Sequence, residues 1–574
     1  MYDLIIRNGS VVDGTGAAAF PGDVAVKDGR IAGIGPNLQG QARETIDARG
    51  LIVTPGFVDI HTHYDGQATW DPLLEPSTLH GVTTLVMGNC GVGFAPVRPG
   101  SEPWLISLME GVEDIPGTAL TEGMKWGWES FPQYLDVLET MPRSVDIAAL
   151  APHGPIRAYV MGDRGSDNQP ATPGDIAAMK AIVREALEAG AVGFSTSRSI
   201  LHKAMDGKVV PGTFAAEDEL FGIGEALREL GRGLYELAPA GASGEDIVAP
   251  AKEIDWMCRL SAAIGRPVTF ALLQVDAAPE LWREMMEKSL LAVQSGAQVY
   301  PQISGRPTGV LVGWQSNHPF AGRASYDEVA RLPLAERVTA LRDPARKARI
   351  LQEPIGPKNR ISWVLSNNLD RIYILGNPPD YDPGPEMTIK AIADREGVDV
   401  AAKLYDLMLE ADGRALLMFP ILNYSYGDSA AIFEMLQHPM GAVGLGDGGA
   451  HCGSICDAST PTWMLTHWVR DRVRGPRLPL EQVVRKLTHD TARLYGMTDR
   501  GTLAVGMKAD LNLIDLERLI LHPPEMIHDL PAGGRRFTQR ASGYVATVVN
   551  GDVVRRGGQD TGARPGRLIR AGRA

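Results

Sequence analysis

Two histidines separated by one residue close the apolar run Phe57-Val58-Asp59-Ile60-His61-Thr62-His63. On a β-strand, residues two apart project to the same side. His61 and His63 therefore present both imidazoles to one point at a strand end. Neutral imidazole is the commonest protein ligand for zinc and similar ions. The bland alternative is a pair of polar residues satisfied at the strand end. Much later, Val443-Gly444-Leu445-Gly446-Asp447-Gly448-Gly449-Ala450-His451 places an aspartate after a short apolar strand, among glycines. Glycines let backbone and ligand approach closely. An aspartate facing two histidines has two tasks open to it: to bind the ion, or to take a proton from the ion's water.

These residues need a frame that brings residue 61 beside residue 447. Apolar strand-like runs recur at Phe57–Ile60, Thr83–Met87, Asp146–Ala151, Val192–Ser195, Leu234–Leu237, Val268–Leu273, Gln298–Gln302 and Val443–Leu445. Helical patterns lie between several of them, clearest at Pro173–Ala189 with Gly190 as its stop, and again at Glu217–Leu230 and Ala249–Ile264. About eight strand–helix repeats point to an α/β fold, a closed (β/α)8 TIM-like barrel, whose chemistry belongs at the C-terminal strand ends. Both chain ends differ from this middle. Asn8-Gly9, Asp28-Gly29 and Asn550-Gly551 lie between short strand-like runs as hairpin signals. We expect a small β-sandwich domain from residues 1–54 and 500–556, around a barrel spanning 55–499. A charged helical insertion is expected near 312–360, and a poorly packed tail over 557–574.

The totals exclude several classes. A chain of 574 residues suits one large domain with a satellite, or two to three domains. Its formal charge is −13, from 56 basic and 69 acidic residues, which argues against nucleic acid as a partner. Four cysteines make no disulfide framework. No basic segment followed by a long apolar one opens the chain, and no apolar run of about 18 residues could span a bilayer. The expectation is a soluble, cytoplasmic protein with no membrane partner, large enough for a homo-oligomer of unfixed order. A phosphate-binding loop and a dinucleotide fingerprint are both missing.

GFVDIHTHYDG, the terminal sheet segments and the late GDGGAH together resemble the amidohydrolase superfamily, and within it the N-acyl-D-amino-acid deacylases (D-aminoacylases). GNCGVGFAPV (88–97), ALEAGAVGFSTS (186–197), PGTFA (211–215) and Val299-Tyr300-Pro301 carry the likeness over nearly the whole chain. The resemblance implies that His61 and His63 bind a divalent metal, zinc for preference. It implies Cys90 as a thiolate ligand at the same centre, and Asp447 as the catalytic aspartate that contacts the metal and shuttles protons. The implied reaction is metal-dependent hydrolysis of an amide bond in a small molecule, an N-acyl amino acid or related N-acyl amide. A cyclic amide or imide is the alternative substrate. A non-catalytic scaffold that keeps the barrel is the alternative of another class.

The sequence departs from the family in two places. The family supplies one histidine from the fifth strand and one from the sixth; here Ala238 and Leu272 stand at those positions. Glu236, two residues before Ala238, points the same way. It either replaces the lost ligand or is a carboxylate satisfied at the strand end. A single tightly held ion is the expectation, since three ligands and an open position suffice for hydrolysis. The family also holds the substrate carboxylate with an arginine soon after the catalytic aspartate. The segment 448–463 has none and carries Asp457 instead, leaving Arg198 or Arg306 as substitutes from other loops. Tyr300, His451, His153 and Gln274 are further candidates for substrate contact, each with a plain packing alternative. The remaining histidines, His202 among them, have no matching partner in sequence.

Overall fold

The computed structural model describes residues 1–356 and 359–572. Its centre is an eight-stranded parallel sheet: β1 (Phe57–Asp59), β2 (Val82–Met87), β3 (Asp146–Pro152), β4 (Gly193–Ser197), β5 (Leu234–Ala238), β6 (Val268–Ala271), β7 (Val299–Ile303) and β8 (Ala442–Val443). Neighbours pair in chain order from β1 to β7, and β8 pairs with β7. Every residue of β2, β3, β4 and β5 is buried. Strands covered on both faces need continuous apolar runs, which is why all eight are readable in the sequence.

The barrel closes through the segments that carry the metal-type residues. Asp447 N donates to His61 O at 3.0 Å and His63 N donates to Gly448 O at 2.8 Å. Gly448 is required here, because a Cβ at that position would overlap Ser77 Oγ. The ring closure itself therefore fixes Asp447 beside the histidine pair.

The helices that wall the barrel start and stop where the sequence signals them. Pro173–Ala189 opens on a capping box, Thr172 with Asp175, and ends at Gly190 with φ 119°. Glu217–Leu230 and Ala249–Ile264 also have the expected limits, each followed by a left-handed glycine.

Strands from both termini join one nine-stranded sheet, in which Ile52–Pro55 lies between Tyr2–Val11 and Leu511–Ile514. Leu4, Ile6, Val24, Leu511, Leu513 and Val548 share its core, so the two halves of the satellite are one unit.

Two expectations about the chain's organisation change. The insertion near 312–360, of which 357–358 lie outside the described residues, is the first part of a larger subdomain. Its three-stranded sheet pairs Leu417–Leu422 with Thr308–Val312 and with Tyr373–Ile374. Helices over 324–413 cover it, with a separate core around Trp314, Leu341 and Tyr405. The tail is not loosely packed over 557–572, and 573–574 lie outside the described residues. Gln559–Asp560 adds an edge strand, Gly566 N donates to Arg143 O at 2.9 Å, and Ile569 N donates to Ile147 O at 2.8 Å. Buried Asp146 anchors it. Its carboxylate accepts from Arg567 N at 2.8 Å, Arg500 Nη1 at 2.7 Å and Asn550 Nδ2 at 3.2 Å, and also from Lys508. The tail's arginines pair separately, Arg564 with Asp560 at 2.8 Å and Arg570 with Asp136 and Glu139 at 2.6 Å each.

Candidate metal centre

His61 and His63 follow β1 directly, and both are almost fully buried. Their ring planes cross at 67° with centroids 5.4 Å apart. Cys90, in the loop after β2, brings its Sγ to 3.4 Å from His61 Nε2. Asp447 Oδ1 lies 3.5 Å from His61 Nε2 and 3.7 Å from His63 Nε2. With bonds of about 2.0–2.1 Å to nitrogen and about 2.3 Å to sulfur, the edges of a tetrahedral zinc site are roughly 3.3–3.6 Å. The donor separations match an ion-sized gap, and the donor atoms of His61, His63 and Cys90 all lie within 4.8 Å of one another.

The protonation states suit the same purpose. Burial lowers both imidazoles, His63 to about 4, so they are neutral near pH 7 and free to ligate. Burial alone would raise the Asp447 carboxyl. His63, His61 and His451 reverse that and hold it well below the usual range, so it is ionised. Around this group lie Asp59 and Asp65, each raised to about 7 by burial, Glu236 raised to about 8, and Glu113, pushed well above the usual carboxylate range by burial and the charges of Asp447, Asp65 and Glu236. Burial and the charges of Glu236, Glu113 and Asp447 also push the Cys90 thiol up. The charges chiefly acting on these groups are one another's carboxylates and that of Asp447, with no lysine or arginine among them. So many buried acids without a basic partner fit a bound cation.

Two residues that sequence reasoning missed lie behind the histidines, and one of them, Gln302, orients its imidazole through a hydrogen bond. Gln302, at the C-terminal end of β7, places Oε1 2.8 Å from His61 Nδ1. With Oε1 as acceptor, the hydrogen of His61 sits on Nδ1 and Nε2 is left for a metal. Glu113 Oε1 lies 3.5 Å from His63 Nδ1. The signal for Glu113 was electrostatic: it ends the helix Glu102–Glu113, where a buried carboxylate opposes the helix dipole. Gln302 had only its inward register on the strand.

Glu236 is not arranged as a simple substitute ligand. Its Oε2 accepts from Cys90 N at 3.0 Å, while Oε1 stands 3.9 Å from His61 Nδ1, away from the Nε2 side, and has no hydrogen-bond partner. It is placed to hold the Cys90 loop. Cys90, Leu445, Asp447 and His451 all adopt positive φ, between 44° and 58°. Four non-glycine residues in that region, each costing on the order of 1–3 kcal/mol, mark the loops as held for function. A cavity of about 20 Å³ touches Asp447 and Gly448, room for one water.

Of the substrate candidates, only His451 joins the centre: its charge acts on Asp447, and its N donates to Glu113 O at 2.5 Å. The structure sends the others elsewhere. His153 is buried with both ring nitrogens engaged, Nδ1 with Thr196 Oγ1 at 2.8 Å and Nε2 with Glu219 Oε1 at 3.0 Å. Arg157 Nε donates to the same Glu219 oxygen at 2.8 Å. Gln274 latches the loop after β6 to the insertion, accepting from Ser425 N at 3.1 Å and donating through its own N to Asn423 Oδ1 at 2.7 Å. Tyr300 lines a cavity with Pro267, Gln298 and Ala442, at the N-terminal mouth of the barrel. Arg306 is buried against Asp457 at 2.7 Å and stacks on Tyr381 at 3.7 Å. Arg198 is paired with Glu253 at 2.8 Å. His153, Gln274, Arg306 and Arg198 each engage an internal partner, a contact invisible until the fold exists. Trp126 and Trp128 form a loop core with Phe94 and Tyr134.

Residues 44–360 and 379–555 match the model of the amidohydrolase family, and the chain belongs to that family. It is 27% identical to the N-acyl-D-aspartate deacylase of Alcaligenes xylosoxydans xylosoxydans, covering 100% of this chain and 96% of that one. It is 26% identical to the D-aminoacylase of the same organism, covering 99% and 97%. Among solved structures, the N-acyl-D-glutamate deacylase of Bordetella bronchiseptica, complexed with zinc and a phosphonate mimic of the tetrahedral intermediate, superimposes with a TM-score of 0.66. It is 25% identical, with 99% of this chain and 100% of that chain covered.

Proposed function

We propose that this protein hydrolyses the C–N bond of an N-acyl amide of the N-acyl amino acid kind. The carrying observation is the convergence of His61 Nε2, His63 Nε2, Cys90 Sγ and Asp447 Oδ1 at the C-terminal end of the barrel. His61, His63 and Asp447, with Cys90 beside them, would hold a divalent ion, zinc for preference. When bound, such an ion lowers the pKa of its water and polarises a carbonyl. Asp447, ionised in this setting, accepts the proton of the attacking water and returns it to the leaving nitrogen. Gln302 and Glu113 keep the imidazoles turned toward the ion, and Glu236 keeps the Cys90 loop in place. Arg198 and Arg306 are committed to internal carboxylates, so neither serves as a clamp on a substrate carboxylate.

The test joins metal analysis to a substrate panel. Purified protein is expected to hold about one zinc per chain, lost in His61→Ala, and to cleave members of a panel of N-acyl-D- and N-acyl-L-amino acids, neutral amides and lactams. No bound metal, or metal content indifferent to His61→Ala, refutes the centre. Exclusive cleavage of lactams refutes the substrate class.

A further inference from the structure

Two clusters of buried polar atoms stand without a hydrogen-bond partner among the described residues. His63 Nδ1, Glu236 Oε1 and Gln302 Nε2 belong to the metal centre. Asp382 Oδ2, His467 Nε2, Arg472 Nε and Trp463 Nε1 form the second cluster. Unpartnered polar atoms at such a density call for an occupant. All four residues of the second cluster are more than nine-tenths buried, and all line one cavity of about 250 Å³. No residue of the metal centre lines it. The cavity lies where three parts of the chain meet: the loop after Tyr373–Ile374 in the insertion, the helix Met464–Asp471 beyond β8, and residues 519–521 of the C-terminal segment. That helix is π-wound, a winding frequent at functional sites.

Asp382 is anchored through one oxygen. Its Oδ1 accepts from Ser429 N at 3.1 Å, Tyr424 OH at 3.2 Å and Arg474 Nη1 at 3.3 Å. Its Oδ2 has His467 Nε2 at 3.5 Å and Arg472 Nε at 3.8 Å, both longer than a normal hydrogen bond. Arg472 is fixed from behind: Nη1 donates to Pro476 O at 2.8 Å, and the guanidinium lies 4.4 Å from the Trp468 ring. His467 stacks on Trp463, with centroids 4.3 Å apart and planes at 12°. A carboxylate oxygen and a guanidinium N–H are thus held 3.8 Å apart, each with bonding capacity unused. A lone anion placed there meets the charge of Asp382, and a lone cation meets Arg472 and Arg474. A molecule carrying both charges on adjacent groups satisfies both sides. The rest of the wall is apolar, from Pro378, Pro379, Leu519, Ile520 and Leu521. At about 30 Å³ per water, the cavity has room for roughly eight or nine non-hydrogen atoms.

We infer that this junction binds a free α-amino acid with an apolar side chain, its ammonium on Asp382 Oδ2, its carboxylate on Arg472 Nε and Trp463 Nε1, and its side chain against Pro379 and Ile520. No bond is made or broken there. The site goes beyond the reading of the metal centre and does not depend on it; under that reading, its ligand is of the class the reaction releases.

Equilibrium dialysis of the full-length protein tests the site with L- and D-leucine and with two singly charged analogues of leucine, 3-methylbutylamine and 4-methylpentanoate. At least one enantiomer is expected to bind, with each analogue about tenfold or more weaker. Asp382→Asn is expected to weaken leucine about tenfold or more and to strengthen 4-methylpentanoate, a reversal that lost packing would not produce. Ile520, a lining residue 43% exposed, offers a variant that spares the core. Ile520→Asp is expected to weaken leucine about fivefold at unchanged Tm, and it decides the case if Asp382→Asn fails to fold. His61→Ala is expected to bind leucine as the wild type does. No retention of either enantiomer up to about 10 mM overturns the inference and leaves ordered water as the occupant. Binding of 4-methylpentanoate as tight as that of leucine overturns the paired-charge recognition. Leucine binding lost in His61→Ala and kept in Ile520→Asp assigns it to the metal centre and overturns the site. A wild type that binds leucine through Asp382 but cleaves no amide supports the site and removes the substrate reading alone.

Discussion

Replacing Gln302 by leucine tests whether the histidine pair is oriented for metal. Among the described residues, Gln302 Oε1 is the only hydrogen-bond acceptor within reach of His61 Nδ1, at 2.8 Å, and both residues are buried. Glu236 Oε1 is the next acceptor, at 3.9 Å, beyond hydrogen-bonding distance. In Gln302→Leu the imidazole loses the contact that keeps its hydrogen on Nδ1. Partners of this kind are worth about 10–100-fold in metal affinity, or about 1.4–2.7 kcal/mol. The metal-free protein should feel much less. Leaving His61 N–H unpaired costs about 1–3 kcal/mol. Gln302 Nε2 is itself a buried donor without a partner, and its removal returns a comparable amount. The expected result is therefore a split: apo stability within about 1 kcal/mol of wild type, zinc affinity lower by one to two orders of magnitude. Competition against a chromophoric chelator measures the affinity, and urea unfolding with and without zinc measures the stability. Unchanged zinc affinity in a folded variant would refute the reasoning. So would equal losses of apo and holo stability, since Gln302 would then be a packing residue.

Further outcomes are expected elsewhere in the molecule. Asp447→Asn should lower turnover by about 10²–10⁴-fold with the fold intact by circular dichroism; unaltered turnover removes Asp447 as the proton carrier. Arg306→Met should lower Tm rather than raise KM, because it strands buried Asp457 at a cost of about 3–5 kcal/mol. A raised KM at unchanged Tm would restore Arg306 as a substrate clamp. Burial would raise the Glu219 carboxyl, but His153 and Arg157 bring it down to about 2 from its ordinary 4.5. A depressed carboxyl stabilises the fold above its unfolded pKa and loses that contribution as pH falls toward the folded value. Stability should therefore decline between about pH 4.5 and pH 2 by up to about 3 kcal/mol, and Glu219→Gln should lack that limb. A matching acid limb in Glu219→Gln assigns the decline to other groups.

What was legible in the sequence follows from which forces act locally. The barrel strands were readable because burial on both faces demands unbroken apolar runs, and helices such as Pro173–Ala189 because caps are written in adjacent residues. His61, His63 and Asp447 were readable from strand period and glycine context. Gln302 and Glu113 were not, because each acts through a partner supplied by a different strand or loop. The reverse error has the same cause. His153, Gln274 and Arg306 have the residue types of a binding site, but their partners Glu219, Asn423 and Asp457 are brought to them only by folding. The insertion was seen by its charged helices and missed by its sheet, since the short strand Tyr373–Ile374 carries too few residues to show a period.

The pairing of Ile52–Pro55 with Leu511–Ile514 sets a timetable for making this protein. The early strand leaves the ribosome about 450 residues before its partner exists. At about 5–20 residues per second, that is a wait on the order of 20–90 s with one strand edge unpaired. The barrel's first strand follows Ile52–Pro55 and pairs early with Val82–Met87, but the His61–Asp447 closure on its other side forms only when most of the chain has been translated. An exposed apolar edge held open that long is a template for intermolecular pairing. Yield of soluble protein should therefore depend on translation rate and on chaperone supply more steeply than the stability of the finished fold would suggest.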